Sequence, residues 1–130
     1  MVDTRVEAAL RPGEQAGVIV TGYDHAASLV LRQNDRGAEI ACFIDGVERH
    51  VERRAANVAY LQIAFRGGGM CTFGCSADGK TFRNVGPVFR AVPGRWIGCR
   101  IGVFTTAAKR RRAMGHADFD YFRFSRVRCS

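Results

Sequence analysis

Apolar and polar residues alternate with a period of two along most of this chain, and turn residues break the alternation at short intervals. Val6, Ala8 and Leu10 alternate with Arg5 and Glu7, which predicts a half-buried strand closed by Pro12-Gly13. Residues 16–21 form a short, β-branched, almost wholly apolar segment. After a turn at Gly22-Tyr23-Asp24, residues 28–32 set Leu29 and Leu31 opposite Val30. The cluster Asn34-Asp35-Arg36-Gly37 predicts a hairpin, with glycine supplying a positive φ. Residues 38–44 follow as a strand, and Asp45-Gly46 is the clearest two-residue hairpin turn in the chain. Residues 47–53 are polar and suit a sheet edge, where charge discourages edge-to-edge pairing.

Residues 58–65 alternate again, three glycines at 67–69 lead into a strand over 70–76, and Asp78-Gly79 is expected to make a tight hairpin turn into Thr81-Phe82. Residues 84–93 are expected to be irregular, with Phe89 as their core anchor. Residues 96–105 and 117–127 supply the last two strands. No stretch combines a cap, helical spacing and ten or more residues, so no long helix is expected. Short strands joined by close turns predict an all-β fold, an antiparallel β-sandwich of the jelly-roll type.

Length and composition narrow this picture. At 130 residues the chain is expected to form one domain, and 47% hydrophobic with 25% charged residues is ordinary for a globular core. The formal net charge is +8, which favours acidic partners. Every basic residue except Lys80 and Lys109 is arginine, and they are spread from Arg5 to Arg128. A nucleic-acid footprint would cluster on one face, so binding of nucleic acid or an acidic surface is the third reading of function. The basic run Lys109-Arg110-Arg111-Arg112 is expected to be a solvated loop between the last two strands.

The 5 cysteines follow no disulfide framework. Cys71 and Cys75 lie four apart on one strand, about 13 Å from each other. That is too far for a disulfide or for one zinc ion. Buried free thiols fit a reducing compartment, and the start of the chain has no secretory leader, so a cytoplasmic location is expected. No apolar run is long enough to span a bilayer.

Four segments carry a family resemblance. Ala16-Gly17-Val18-Ile19-Val20, Ser76-Ala77-Asp78-Gly79-Lys80-Thr81-Phe82, Gly94-Arg95-Trp96-Ile97-Gly98 and Ala117-Asp118-Phe119-Asp120-Tyr121-Phe122 occur in one order. Together they resemble the C-terminal concanavalin A-like β-sandwich domain of glycoside hydrolase family 43 β-xylosidases and arabinofuranosidases, from about Thr4 to Phe124. The resemblance implies an accessory, non-catalytic role beside a five-bladed propeller that carries the catalytic carboxylates. The expected partner is thus a catalytic propeller domain or protein, and the reaction supported is hydrolysis of xylo- or arabino-oligosaccharides. A free-standing carbohydrate-binding module is the alternative. Because residues 4–10 resemble an internal strand, the chain is expected to be the C-terminal part of a larger family domain. Missing strands would bare an edge and an apolar face, inviting homo-oligomers.

Candidate site residues follow. Trp96, the sole tryptophan, either packs in the core or supplies the aromatic residue that the resemblance sends toward the propeller's active site. Tyr23 and Asp24 at the first turn join it as candidates for contact with an oligosaccharide, and Asp24-His25 is the most site-like pair. No cofactor is expected beyond a structural calcium ion. Asp118 and Asp120 are the candidates to hold one, since both project to one face of a strand. No pair of carboxylates suits a glycosidase, so no catalytic residue is assigned and the chain is not expected to be active alone.

Overall fold

The computed structural model of the protein describes residues 1–22, 25–54, 56–90, 100–107 and 115–124. Ten strands run in chain order: β1 (Val2–Ala9), β2 (Glu14–Thr21), β3 (Ala26–Asn34), β4 (Gly37–Ile44), β5 (Val47–Arg54), β6 (Val58–Arg66), β7 (Met70–Ser76), β8 (Arg83–Arg90), β9 (Arg100–Ala107) and β10 (His116–Phe124). They form two five-stranded sheets, ordered β10-β1-β6-β7-β8 and β5-β4-β3-β2-β9, with every neighbouring pair antiparallel. The expected antiparallel sandwich is what forms. A three-residue 3-10 turn at Gly67–Gly69 is the sole helical element among the described residues.

Period-two patterning explains the layers. Val2, Val6 and Ala8 of β1 turn inward against Val18 and Val20 of β2, Leu29 and Leu31 of β3, and Leu61, Ile63 and Phe73 of the first sheet. Each is almost fully buried, contributing roughly 1.5–3 kcal/mol per large side chain. Phe73 stacks obliquely on Phe89, with ring centroids 4.8 Å apart. β1 is a central strand of its sheet, pairing with both β10 and β6.

The turns follow their residues. Asp45 and Gly46 have φ of 51° and 78°, the doubly left-handed pair that a two-residue hairpin needs. The reversal after β7 is different from the tight Asp78-Gly79 hairpin expected of it. Cys75 pairs with Arg83, so the loop is longer and its side chains organise it. Asp78 Oδ1 accepts the Lys80 and Thr81 N–H groups at 2.8 and 3.1 Å and the Ser76 hydroxyl at 2.8 Å. Ser76 Oγ in turn accepts the Gly79 N–H at 2.9 Å. These bonds to the ionised form hold the Asp78 carboxyl down at about 2.

Residues 83–90 also correct an expectation, because β8 is a regular edge strand and not an irregular segment. Gly86-Pro87 reads as a turn, yet the strand runs on through a bulge at this point. Cys71 pairs with Phe89 and Phe73 with Val85, so Gly86, Pro87 and Val88 face the single residue Thr72. Phe89 is the core anchor expected of it, 7% exposed. Residues 91–93 lie outside the described set, as does the part of the penultimate strand expected before Arg100.

Three of the four sheet edges carry protection. β5 is studded with Glu48, Arg49, Glu52, Arg53 and Arg54, β8 has Pro87 and its bulge, and β10 bears Asp118, Asp120 and Arg123. In β9 the run from Ile101 to Ala107 has neither charge nor proline.

Candidate functional site

At one end of the sandwich the β2–β3 turn, the β4–β5 turn and the last residues of β8 meet around a cavity of about 280 Å³. Val20, Ala27, Ile44 and Phe89 form an apolar floor, and His25, Asp45, Arg49, Val88 and Arg90 form the rim. The floor residues are inward-facing members of core strands, so the cleft is a place where the gap between the sheets opens to solvent.

Backbone bonds lock two of the rim elements together. Gly22 N–H donates to His25 O at 2.8 Å, and Asp45 N–H donates to Ala26 O at 2.7 Å. Asp45 Oδ1 accepts the Ala26 N–H at 3.0 Å, and its Oδ2 lies 3.1 Å from His25 Nδ1. The Ala26 amide first, then His25, hold the Asp45 carboxyl below the usual carboxylate range. An ionised carboxylate can only accept, so His25 Nδ1 carries the proton and Nε2 is left for other partners.

Two bulges shape the opposite rim. In β5, His50 pairs with Cys42 and Glu48 with Phe43, which leaves Arg49 as the extra residue, and Arg49 lines the cleft. The β8 bulge likewise brings Val88 to the rim, 56% exposed. Gly86 makes that second bulge feasible. Its φ is 76°, and a Cβ there would sit 2.8 Å from Cys42 Sγ. Among the described residues Arg49 meets no carboxylate. Arg90 donates from Nε to Gly68 O at 3.2 Å, and its terminal amino groups meet no carboxylate among the described residues.

Trp96, Tyr23 and Asp24 lie outside the described residues. Gly22 and His25 flank the second and third and line the cleft, and Arg90, which precedes residues 91–99, lines it too. The run at 109–112 also lies outside the described residues. Of the Asp24-His25 pair only His25 is described, and its Nδ1 meets Asp45, 20 residues away. Asp118 and Asp120 sit on the outer face of β10, apart from the cleft. Asp120 is bound to Arg5 at 2.6 Å, while Asp118 is exposed with His116 Nε2 4.0 Å away. Arg123 reaches Asp3 instead, at 2.9 Å. Among the described residues no group of three or more His, Cys, Asp or Glu converges as a metal site.

Sequence reasoning missed Arg49, Val88 and Arg90 as neighbours of His25. A register shift places Arg49, and no local pattern announces it.

Cys42, Cys71 and Cys75 are buried, and Cys42 and Cys75 are free thiols. Burial pushes Cys42 up to about 11 and raises Cys75 as well. Asp45 is the one carboxylate among the described residues lining the cleft. Hydrolysis of a glycosidic bond uses two carboxylates.

The fold defines a concanavalin A-like β-sandwich with a cleft at one end. Over residues 1–125 the chain matches the family of β-xylosidase C-terminal concanavalin A-like domains, GH43_C2, and it belongs to that family. No curated protein matches it. Among solved structures it is similar to a bifunctional GH43-CE protein of Bacteroides eggerthii, with a TM-score of 0.80 and 21% identity over 93% of this chain. It is also similar to an engineered GH43 glycoside hydrolase described as displaying both endo-xylanase and exo-arabinofuranosidase activity, with a TM-score of 0.76 and 21% identity over 93% of this chain. The chain spans 16% and 28% of the lengths of those two proteins.

Proposed function

We propose that this chain is a non-catalytic accessory sandwich of a β-xylosidase-like glycoside hydrolase, acting beside a catalytic propeller in the hydrolysis of xylo- or arabino-oligosaccharides. The observation that carries the reading is family membership over residues 1–125. The cleft supports it, having an apolar floor, polar rim groups and a single carboxylate among its described residues. In this reading the cleft end faces the substrate side of the catalytic domain, and Trp96 is the residue proposed to reach toward its active site. Buried free thiols support work in a reducing compartment, hence a cytoplasmic location.

The test is reconstitution. Mixed with a family 43 catalytic domain from the same genome, the chain is expected to co-elute with it and to raise its kcat/KM on aryl xylosides or arabinofuranosides. Alone, it is expected to hydrolyse neither. A free-standing carbohydrate-binding module is the second reading, favoured by the cleft itself. That module would hold xylo-oligosaccharide without any catalytic partner and leave the partner's rate unchanged.

A further inference from the structure

We infer that the end cleft is a binding site for an acidic saccharide, with the carboxylate of a hexuronic acid residue held by Arg49 and Arg90 over the apolar floor. The saccharide in this inference rests on the proposed function, while the preference for negative charge rests on the cleft alone.

Three independent features of the fold converge on this one place. Both edge strands that flank the cleft, β5 and β8, break their register there, and each break contributes a rim residue, Arg49 and Val88. Bulges cost ladder hydrogen bonds and gather beside sites because they re-aim a side chain. The third feature is the Asp45-Gly46 turn, whose aspartate is held at a left-handed φ and tied to His25 and Ala26. The rim is therefore rigid on the side of His25 and Asp45.

Charge decides the ligand class. Four arginines elsewhere are paired with carboxylates, Arg5 with Glu7 and Asp120, Arg32 with Glu39 and Glu48, Arg83 with Glu52, and Arg123 with Asp3. Others among the described residues, such as Arg36, stand singly on the surface. Arg49 and Arg90 share one cavity and meet no carboxylate among the described residues. Among the described lining residues two guanidiniums stand against one carboxylate, Asp45, which is already engaged by Ala26 and His25. Guanidinium offers paired N–H donors that match a carboxylate. The floor of Val20, Ala27 and Phe89 suits the C–H face of a sugar ring, and His25 Nε2 is free for a hydroxyl. A cavity of about 280 Å³ takes one to two sugar residues, near the low end of ligand sites at about 300 Å³.

The test is titration calorimetry on the full chain with three probes: a glucuronic acid-substituted xylo-oligosaccharide, the unsubstituted xylo-oligosaccharide and inorganic sulfate. The acidic oligosaccharide is expected to bind at least about tenfold more tightly than the neutral one, the share of a charge-assisted hydrogen bond. Arg49→Gln is expected to weaken it by a similar factor, and Arg49→Gln with Arg90→Gln to remove the preference for charge. Arg36→Gln, on the distant β3–β4 turn, is expected to leave binding unchanged. Thermal melts confirm that each variant is folded. Equal binding of the neutral oligosaccharide, unaltered binding by the folded double variant, or no binding at all overturns the inference. Sulfate bound as tightly as the acidic sugar overturns the saccharide and leaves a general anion site. None of these outcomes touches the reconstitution with a catalytic domain, so the two proposals fail separately.

Discussion

Replacing Gly86 with alanine probes the bulge that shapes the cleft. Gly86 has φ of 76°, where an L-residue costs about 1–2 kcal/mol. The added Cβ would lie 2.8 Å from Cys42 Sγ and 3.2 Å from Cys42 Cβ, both on the well-packed strand β4. Overpacking of that kind costs about 1–3 kcal/mol, so Gly86→Ala is expected to lose about 3 kcal/mol in all. For a domain of this length that corresponds to a fall in Tm of roughly 12 °C. Cys42→Ala alone trims one buried atom and is expected to cost about 1 kcal/mol. The double variant relieves the contact with sulfur and keeps the backbone strain. Its loss is expected to be smaller than the sum of the two single losses by about 1–2 kcal/mol. Urea denaturation of all four proteins measures this directly. Single losses that add to within about 0.5 kcal/mol would show that Gly86 and Cys42 do not press on each other, and the packing argument would be wrong.

Three further outcomes are expected. Asp78 is depressed in the folded state, to about 2, chiefly by the Lys80 and Thr81 amides, so the stability it contributes is full above the unfolded value of 3.8 and is lost as pH falls toward 2. Asp78→Asn should flatten that part of the stability–pH curve, and an unchanged acid limb by circular dichroism would contradict the turn geometry. Thiol labelling at pH 8 followed by peptide mapping should leave Cys42 and Cys75 unmodified until denaturant is added, because burial raises both; rapid labelling of Cys42 in the folded protein would refute its burial. Thr106→Lys puts a charge on the exposed outer side of the unprotected β9 edge, and it should lower light scattering by concentrated protein with little change in Tm. Scattering equal to that of the parent would mean that β9 is not the sticky edge.

Much of the fold is legible in the residues, and the reasons are local. Period-two alternation marks β1 and β6, and Asp45-Gly46 marks the β4–β5 hairpin, because side-chain direction and positive φ are properties of short segments. β8 escapes this reading because Gly86-Pro87 reads as a turn and the exposed Val88 is apolar, although Val85 and Phe89, four apart, stay on one face. The loop after β7 is longer than Asp78-Gly79 suggests because Ser76 and Asp78 side chains take over the turn's hydrogen bonds. The cleft is legible least of all. His25 meets Asp45 only when two hairpins lie side by side, and Arg49 enters the cavity through a register shift against β4 that depends on the whole sheet. Trp96, Tyr23 and Asp24 lie outside the described residues.

The most direct measurement of the central claim is the rate at which a family 43 catalytic domain from the same genome cleaves an aryl xyloside or arabinofuranoside, with and without this chain at equal concentration. An accessory sandwich predicts co-elution and a higher kcat/KM with the chain present. An unchanged rate at stoichiometric excess, together with tight binding of xylo-oligosaccharide by the chain alone, would contradict it and identify a free-standing binding module.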